Sequence, residues 1–424
     1  MKEDFLHYIW QHKKFDLTQL KTIQGETLVI YHPGHYLQQE GPDFFNAQLE
    51  INNQKWAGNV EIHKKASDWY VHHHEKDKAY ENVILHVVWE YDVPVYRVNN
   101  EEVPVLELQQ YVSKSQTTQY QELMKNKSWI NCEKHIADTD VFVFQNWLER
   151  LFLERLEQKS LPVLQWLSMS GNDWEFTLFC SLAKNFGLNT NGVAFEKMAL
   201  SIPFSVVRKE SCDLLQLEAL FFGRIGLLEG EKEDNTYKDL KKRWQFLRQK
   251  HQLKPVYIDA IQFFKHRPDN FPTIRLAQLA QLYHSIPNLF SRIITAPDYK
   301  TIYQGLSVGV SNYWQTHYVF DKQSPFKNKT LSKSFINLLL INTILPVRYV
   351  YDKSLGKENI EFIIDVLRQI PAEKNVIIDK FMSFDIAVTS AFYSQALLQL
   401  KNNYCSQCKC LQCAVGIYYI NKTA

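Results

Sequence analysis

Residues 41–64 read GPDFFNAQLEINNQKWAGNVEIHK, and the fold of the first part of the chain turns on that stretch. Gly41-Pro42 breaks regular structure, so it marks a turn and sets Asp43 at the entry to the next segment. From there the residues alternate. Phe45, Ala47, Leu49 and Ile51 fall on one side and Asn46, Gln48 and Glu50 on the other, the period of a half-buried strand. Asn52-Asn53 is hairpin-turn chemistry, so Lys55 to His63 is expected to return as the partner strand. Glu61 and His63 are two apart and point to one face. If the two strands pair, Asp43, Glu61 and His63 gather at one end of a sheet.

That gathering has a chemical reading. Two carboxylates side by side repel unless a cation sits between them. A hard ion such as Mg²⁺ or Mn²⁺ takes oxygen ligands and keeps waters, and it lowers the pKa of a bound water. Asp43 and Glu61 are the expected ligands, with His63 as the nearby basic group. Lys64 would point to the opposite face of a regular strand and needs a bulge to join the site.

Pro42-Asp43 followed by Glu61-x-His63 on a second strand resembles the signature of the PD-(D/E)XK nuclease superfamily. The resemblance implies a restriction-endonuclease-like order of helix, three strands, helix and strand. It assigns Asp43 and Glu61 to the motif's two acids and puts His63 where the motif has lysine. The chain also resembles an uncharacterised bacterial family of the domain-of-unknown-function kind, through Gly-Pro-Asp-Phe (41–44), Val-Glu-Ile-His (60–63) and Ile-Leu-His-Val-Val (84–88).

Further histidines lie close by. His72, His73 and His74 follow Asp68-Trp69, and His86 interrupts the apolar run Ile84 to Val88. Histidine is a common transition-metal ligand. His63, His72, His74 and His86 therefore make a second constellation, for zinc or manganese. The plainer readings are a polar loop for the triple histidine and a core histidine for His86. Sharing a face with Ile84 and Val88, His86 is expected to partner His63 or Glu61 and to join the metal site.

Outward from this centre, Asp4 to His12 reads as a short helix, Thr27 to Tyr31 as a strand, and Val83 to Tyr91 as a central strand. Val93 to Val98 and Val103 to Leu108 read as a hairpin. From about residue 138 helical periodicity takes over, beginning with Trp147, Leu148, Leu151, Phe152 and Leu156. The expected class is α+β. Residues 1–111 form the mixed α/β nuclease-like domain, 112–137 a linker, and 138–424 a helical domain that ends in a cysteine cluster.

That cluster, Cys405, Cys408, Cys410 and Cys413, packs four thiols into nine residues, a set suited to zinc or an iron–sulfur centre. Cys132, Cys180 and Cys212 lie far apart in apolar or mixed settings and read as buried thiols. The charge is only +2 over 424 residues, so no net basic field draws nucleic acid, and a local patch is needed. Lys238, Lys241, Lys242, Arg243, Arg248, Lys250 and Lys254 on one helix, with Arg267 and Arg275 beyond, are the places to look. The start of the chain lacks a signal-peptide pattern, and Phe335 to Val347 reads as too short for a bilayer. A cytoplasmic, non-membrane protein is expected.

The expected function is a Mg²⁺- or Mn²⁺-dependent nuclease acting on DNA or RNA through Asp43, Glu61 and His63. The alternatives are a non-catalytic binding protein on the same scaffold and a histidine-metal hydrolase of small molecules.

Overall fold

The computed structural model describes residues 2–37, 40–125, 128–264 and 266–422. It divides into two compact units. The first comprises Met1–Glu149, Lys380–Ile386 and Leu398–Ala424, and the second Arg150–Asp379 and Ala387–Leu397. The first carries a mixed sheet and the second is mostly helical, as the α+β reading expected. The boundaries differ from those expected. The cysteine-bearing C-terminal segment belongs with the sheet, not with the helices that precede it in sequence.

In the first unit helix α1 (Glu3–Gln11) begins with Glu3 and Asp4, which suit the positive end of its dipole, and buries Phe5, Leu6, Ile9 and Trp10. The sheet has strands β1 (Leu28–His32), β2 (His35–Tyr36), β3 (Phe44–Ile51), β4 (Gln54–Lys65), β5 (Val83–Glu90) and β6 (Val105–Glu107). Its order is β1-β3-β4-β5-β6, with β2 on β3. The β3–β4 pair is the expected hairpin, closing at Ile51↔Gln54. Asn52 and Asn53 have φ of 50° and 65°, the left-handed pair that a two-residue turn needs.

One detail of the strand departs from simple alternation. The register shifts between Phe44 and Ala47, where Asn46 takes φ 57°. The extra residue turns Phe44 inward and leaves Phe45 55% exposed, whereas period-2 counting put Phe45 on the buried side.

β4 and β5 are parallel, so the chain must cross over between them. The crossover holds α2 (Asp68–Val71) and two 3₁₀ turns, His74–Lys76 and Lys78–Tyr80. Ala66, Trp69 and Tyr80 pack there against Val83, Val88, Val95, Val103 and Val105. Gly58 lets the strands close: a Cβ on it would meet Ile84 Cγ2 at 2.4 Å and the Asn82 carbonyl oxygen at 2.7 Å. The expected hairpin after residue 93 is only partly formed. Tyr96 bridges Glu102, but β6 runs parallel to β5.

The expected linker at 112–137 contains α3 (Lys114–Lys125), with Tyr120 and Leu123 buried. Asn126 and Lys127 of that segment lie outside the described residues. Tyr120 stacks on Phe5 with ring centroids 4.2 Å apart, and Gln116 donates to Asn421 Oδ1 at 3.3 Å. With two apolar anchors in twelve positions, this helix leaves almost no periodic trace.

In the second unit the helical expectations hold within a few residues, for example at Trp174–Phe186, Leu214–Arg224, Asn235–Lys250 and Pro272–Ser285. Leu188–Leu200 and Phe204–Glu210 are helices that periodicity did not single out. The apolar stretch expected to be too short belongs to a longer helical run, Lys333–Ser354. By length and composition that run is long enough to cross a membrane, and 67% of its apolar window is buried inside the protein.

Candidate functional site

The centre of the first unit is built from three neighbouring elements. β4 presents Glu61 and His63, β5 presents His86 opposite Glu61, and the crossover brings His72 and His74 over the same face. Glu61, His63, His74 and His86 are all buried, at 5%, 2%, 7% and 0% exposure, while His72 is exposed.

The contacts form a connected set. Asp43 donates its backbone N–H to Glu61 Oε2 at 3.1 Å. Its own Oδ2 accepts from the Ile62 amide at 3.0 Å and lies 3.1 Å from His7 Nε2. Glu61 Oε1 lies 3.4 Å from His63 Nε2 and 3.3 Å from His74 Nε2. His63 Nε2 is 3.1 Å from His72 Nδ1, and His63 Nδ1 is 2.9 Å from His86 Nε2. Tyr80 stacks on His74 with centroids 3.7 Å apart, and Trp69 closes over His74 and His86.

Burial governs the charges here. Burial first, and then the Asp43 carboxylate, pushes the Glu61 carboxyl up to about 9. Burial and then the His86, His74 and His72 rings push His63 down to about 2. Burial likewise pushes His86 down to about 3 and lowers His74. His7 moves the other way. Burial pulls it down, but the hydrogen bond and charge of Asp43 outweigh that and raise it. His63 is therefore a neutral imidazole and does not carry the positive charge expected of a group standing in for lysine.

A transition metal fits this donor set. The ligating nitrogens of His63, His72 and His74 all lie within 4.8 Å of one another. An ion with bonds of about 2.0–2.1 Å has tetrahedral edges of roughly 3.3–3.4 Å. The His63–His72, His63–Glu61 and His74–Glu61 separations of 3.1–3.4 Å come close to that. His74 Nε2 is buried with no hydrogen-bond partner, an orphan that a metal bond would satisfy. With His63 Nε2 turned to a metal, its Nδ1–H would donate to His86 Nε2 at 2.9 Å, an outer hydrogen bond that fixes the ligating tautomer. Three imidazoles suit zinc-like ions better than Mg²⁺, which prefers oxygen.

Asp43, Glu61 and His63 are thus brought together, but Asp43 is held by His7 and a backbone amide. His86 supports His63 from behind. Lys64 is exposed on regular β4, with no bulge to turn it inward. His7 and Tyr36, whose hydroxyl lies 3.2 Å from His7 Nδ1, were not anticipated. His7 sits on α1, 36 positions before Asp43, and no local spacing signals it. Of the cysteines, Cys405, Cys410 and Cys413 line one cavity, with Cys132 in place of the exposed Cys408.

The basic positions on Asn235–Lys250 are largely paired. Arg243 binds Asp213 and Asp239, Lys241 binds Glu231, Lys238 binds Glu233 and Lys250 binds Glu210. Arg275 is buried at 5% exposure and donates to Asn270 and Gln278, so it is not a surface phosphate contact.

Fold and site together define an α+β protein with a buried carboxyl–histidine centre. The chain belongs to the family of proteins of unknown function DUF2851, matched over residues 3–376. No curated protein and no solved structure matches it.

Proposed function

We propose that this protein is a metal-dependent hydrolase of phosphodiesters, a nuclease in the broad sense, with the metal on His63, His72 and His74. The observation that carries the reading is the convergence of three imidazole nitrogens beside the buried Glu61 carboxyl. Glu61 balances the charge of the metal, and His86 holds His63 in the ligating tautomer. The Asp43–His7 pair orders the outer side of the site. A metal lowers the pKa of a bound water to near neutrality. The water oxygen bonds to phosphorus, the bond to the leaving oxygen breaks, and the water's proton ends on that oxygen.

Two features support a phosphodiester over another ester. If the two-residue β2 is set aside, the order α1, β1, β3, β4, α2, β5 follows the helix, three strands, helix and strand that the nuclease resemblance implies. Asp43, just before β3, and Glu61, on β4, match the acids of that motif in the resemblance, and the Asp43 amide donates to the Glu61 carboxyl. The metal differs from the Mg²⁺ or Mn²⁺ expected from two carboxylates, because imidazoles outnumber oxygens. Neutral imidazoles at the centre also favour a small-molecule hydrolase as the second reading.

The test is incubation of the full chain with labelled single- and double-stranded DNA and RNA, with Zn²⁺, Mn²⁺ or Mg²⁺ supplied singly. Cleavage that depends on Zn²⁺ or Mn²⁺ and disappears in Glu61→Gln and His74→Ala is expected. Cleavage unchanged in both folded variants, or none with any metal, would refute the nuclease reading.

A further inference from the structure

Four cysteines from two distant stretches of sequence surround one cavity in the first unit: Cys132, Cys405, Cys410 and Cys413. Cys408 does not join them. It is exposed, and its φ of 53° belongs to the tight turn between Cys405 and Cys410. The sulfurs are close enough to act on one another electrostatically. Burial raises the Cys405 thiol most, and Cys413, Cys132 and Cys410 add to it in that order. Cys132 is raised in the same way by burial, then by Cys413 and Cys410.

N–H groups also point at these sulfurs. Asn131 Nδ2 lies 3.6 Å from Cys410 Sγ. Burial raises the Cys413 thiol, but the Gly416 and Val415 amides act against it from the start of the helix Ala414–Asn421. Gly416 is needed for that approach, since a Cβ there would stand 2.2 Å from the Cys410 carbonyl oxygen. Donors aimed at sulfur favour the thiolate. Four like charges in one buried cavity would be unstable without a cation among them.

We infer that Cys132, Cys405, Cys410 and Cys413 are the four ligands of an iron–sulfur cluster. The spread of the sulfurs decides for a cluster over a single ion. A zinc ion with bonds of about 2.3 Å draws its four sulfurs to roughly 3.8 Å from one another. Among the described residues, the trio of ligating atoms gathered within 4.8 Å is the histidine one, and the sulfurs form no such group. Four thiolates ringed more widely around a cavity suit a polynuclear core, and N–H···S bonds are among the levers that tune such cores. Assembly of a four-iron core takes two ferrous and two ferric ions with four sulfide ions, and each thiol gives up its proton as its sulfur bonds to iron. No redox step is needed for the cluster to tie Cys132 to the last helix.

The full chain, isolated without oxygen and also reconstituted with ferrous and ferric iron and sulfide, is assayed for iron, acid-labile sulfide and visible absorption. Iron and sulfide in equal amounts, with a broad charge-transfer absorption, are expected in the wild type and in Cys408→Ser. Both should be lost in Cys132→Ser and Cys410→Ser. Because serine at buried Cys132 risks unfolding, the wild type gives an independent reading through alkylation and peptide mapping. Cys408 should label at once, and the four ligands only after the cluster is destroyed. Zinc without iron or sulfide would overturn the cluster. Retention in Cys132→Ser with loss in Cys408→Ser would overturn the ligand set, and absence of any metal would overturn both.

Discussion

The two units bury polar groups in opposite ways. In the helical unit several buried charges are held by neutral partners. Arg275 donates to Asn270 at 2.6 Å and Gln278 at 2.8 Å and stacks on Phe335. Lys329 donates to the carbonyls of Trp314 and His317. Glu218 accepts from the Trp314 indole at 3.3 Å. In the sheet unit Glu61, His63, His74 and His86 mostly face one another, and the His74 Nε2 and His86 Nδ1 atoms lack hydrogen-bond partners. In the first arrangement each of these charged groups is held by neutral donors or acceptors of its own unit, although Arg275 Nε and Glu218 Oε1 are also without partners, and its groups serve the fold. The second is a set of lone pairs turned toward a common point, which the interior of a protein does not hold for stability alone.

Substitutions should separate the two kinds of burial. The largest effect is expected at Arg275→Ala. It leaves the Asn270 and Gln278 oxygens unpaired beneath Phe335 and should cost about 3–5 kcal/mol in denaturant unfolding, with metal binding unchanged. A loss under about 1 kcal/mol would break the contrast from the helical side.

Glu218 comes next. Burial raises its carboxyl from 4.5 to about 7. Because the folded pKa lies above the unfolded one, its contribution is fully present below about pH 4.5 and is lost as pH rises through 7. The loss is on the order of 3 kcal/mol. Glu218→Gln should flatten the decline in stability across that window, as measured by urea unfolding at several pH values. An unchanged slope would show that the carboxyl is better solvated than its burial implies.

In the sheet unit the effects should fall on metal affinity. His74→Ala should weaken metal binding at least about 100-fold; in the metal-free protein the cavity left between Tyr80 and Trp69 should cost stability, offset in part by removal of an unpaired buried nitrogen. His86→Ala, which removes only the support behind His63, should cost about 10-fold. Equal losses in the two would mean that His86 is itself a ligand, as its place in the sequence suggested.

The strands around Asp43 and Glu61 were legible because their signals are local. Alternation, the Asn52-Asn53 turn and the two-residue spacing of Glu61 and His63 each act within a few residues. The bulge at Asn46 was not, because alternation assumes an unbroken register. The partnership of His86 with His63 followed from an apolar strand carrying one polar residue. His7 was invisible because only the closure of α1 on the sheet unit brings it to Asp43. Cys132 was hidden for the same reason. Four thiols crowded in nine residues read as a complete set, and nothing in the chain signals that a turn at Cys408 expels one and a distant thiol replaces it.

A metal on the buried polar centre of the sheet unit would be visible directly. Co²⁺, a visible reporter of zinc-type sites, can be titrated into the full chain while the d–d bands are followed. One equivalent should bind to nitrogen and oxygen donors, separate from any that gives a sulfur-to-cobalt charge-transfer band at the cysteines, and His72→Ala with His74→Ala should abolish it. Nitrogen–oxygen bands that persist in the double variant, or cobalt that binds only through sulfur, would contradict a metal at that centre.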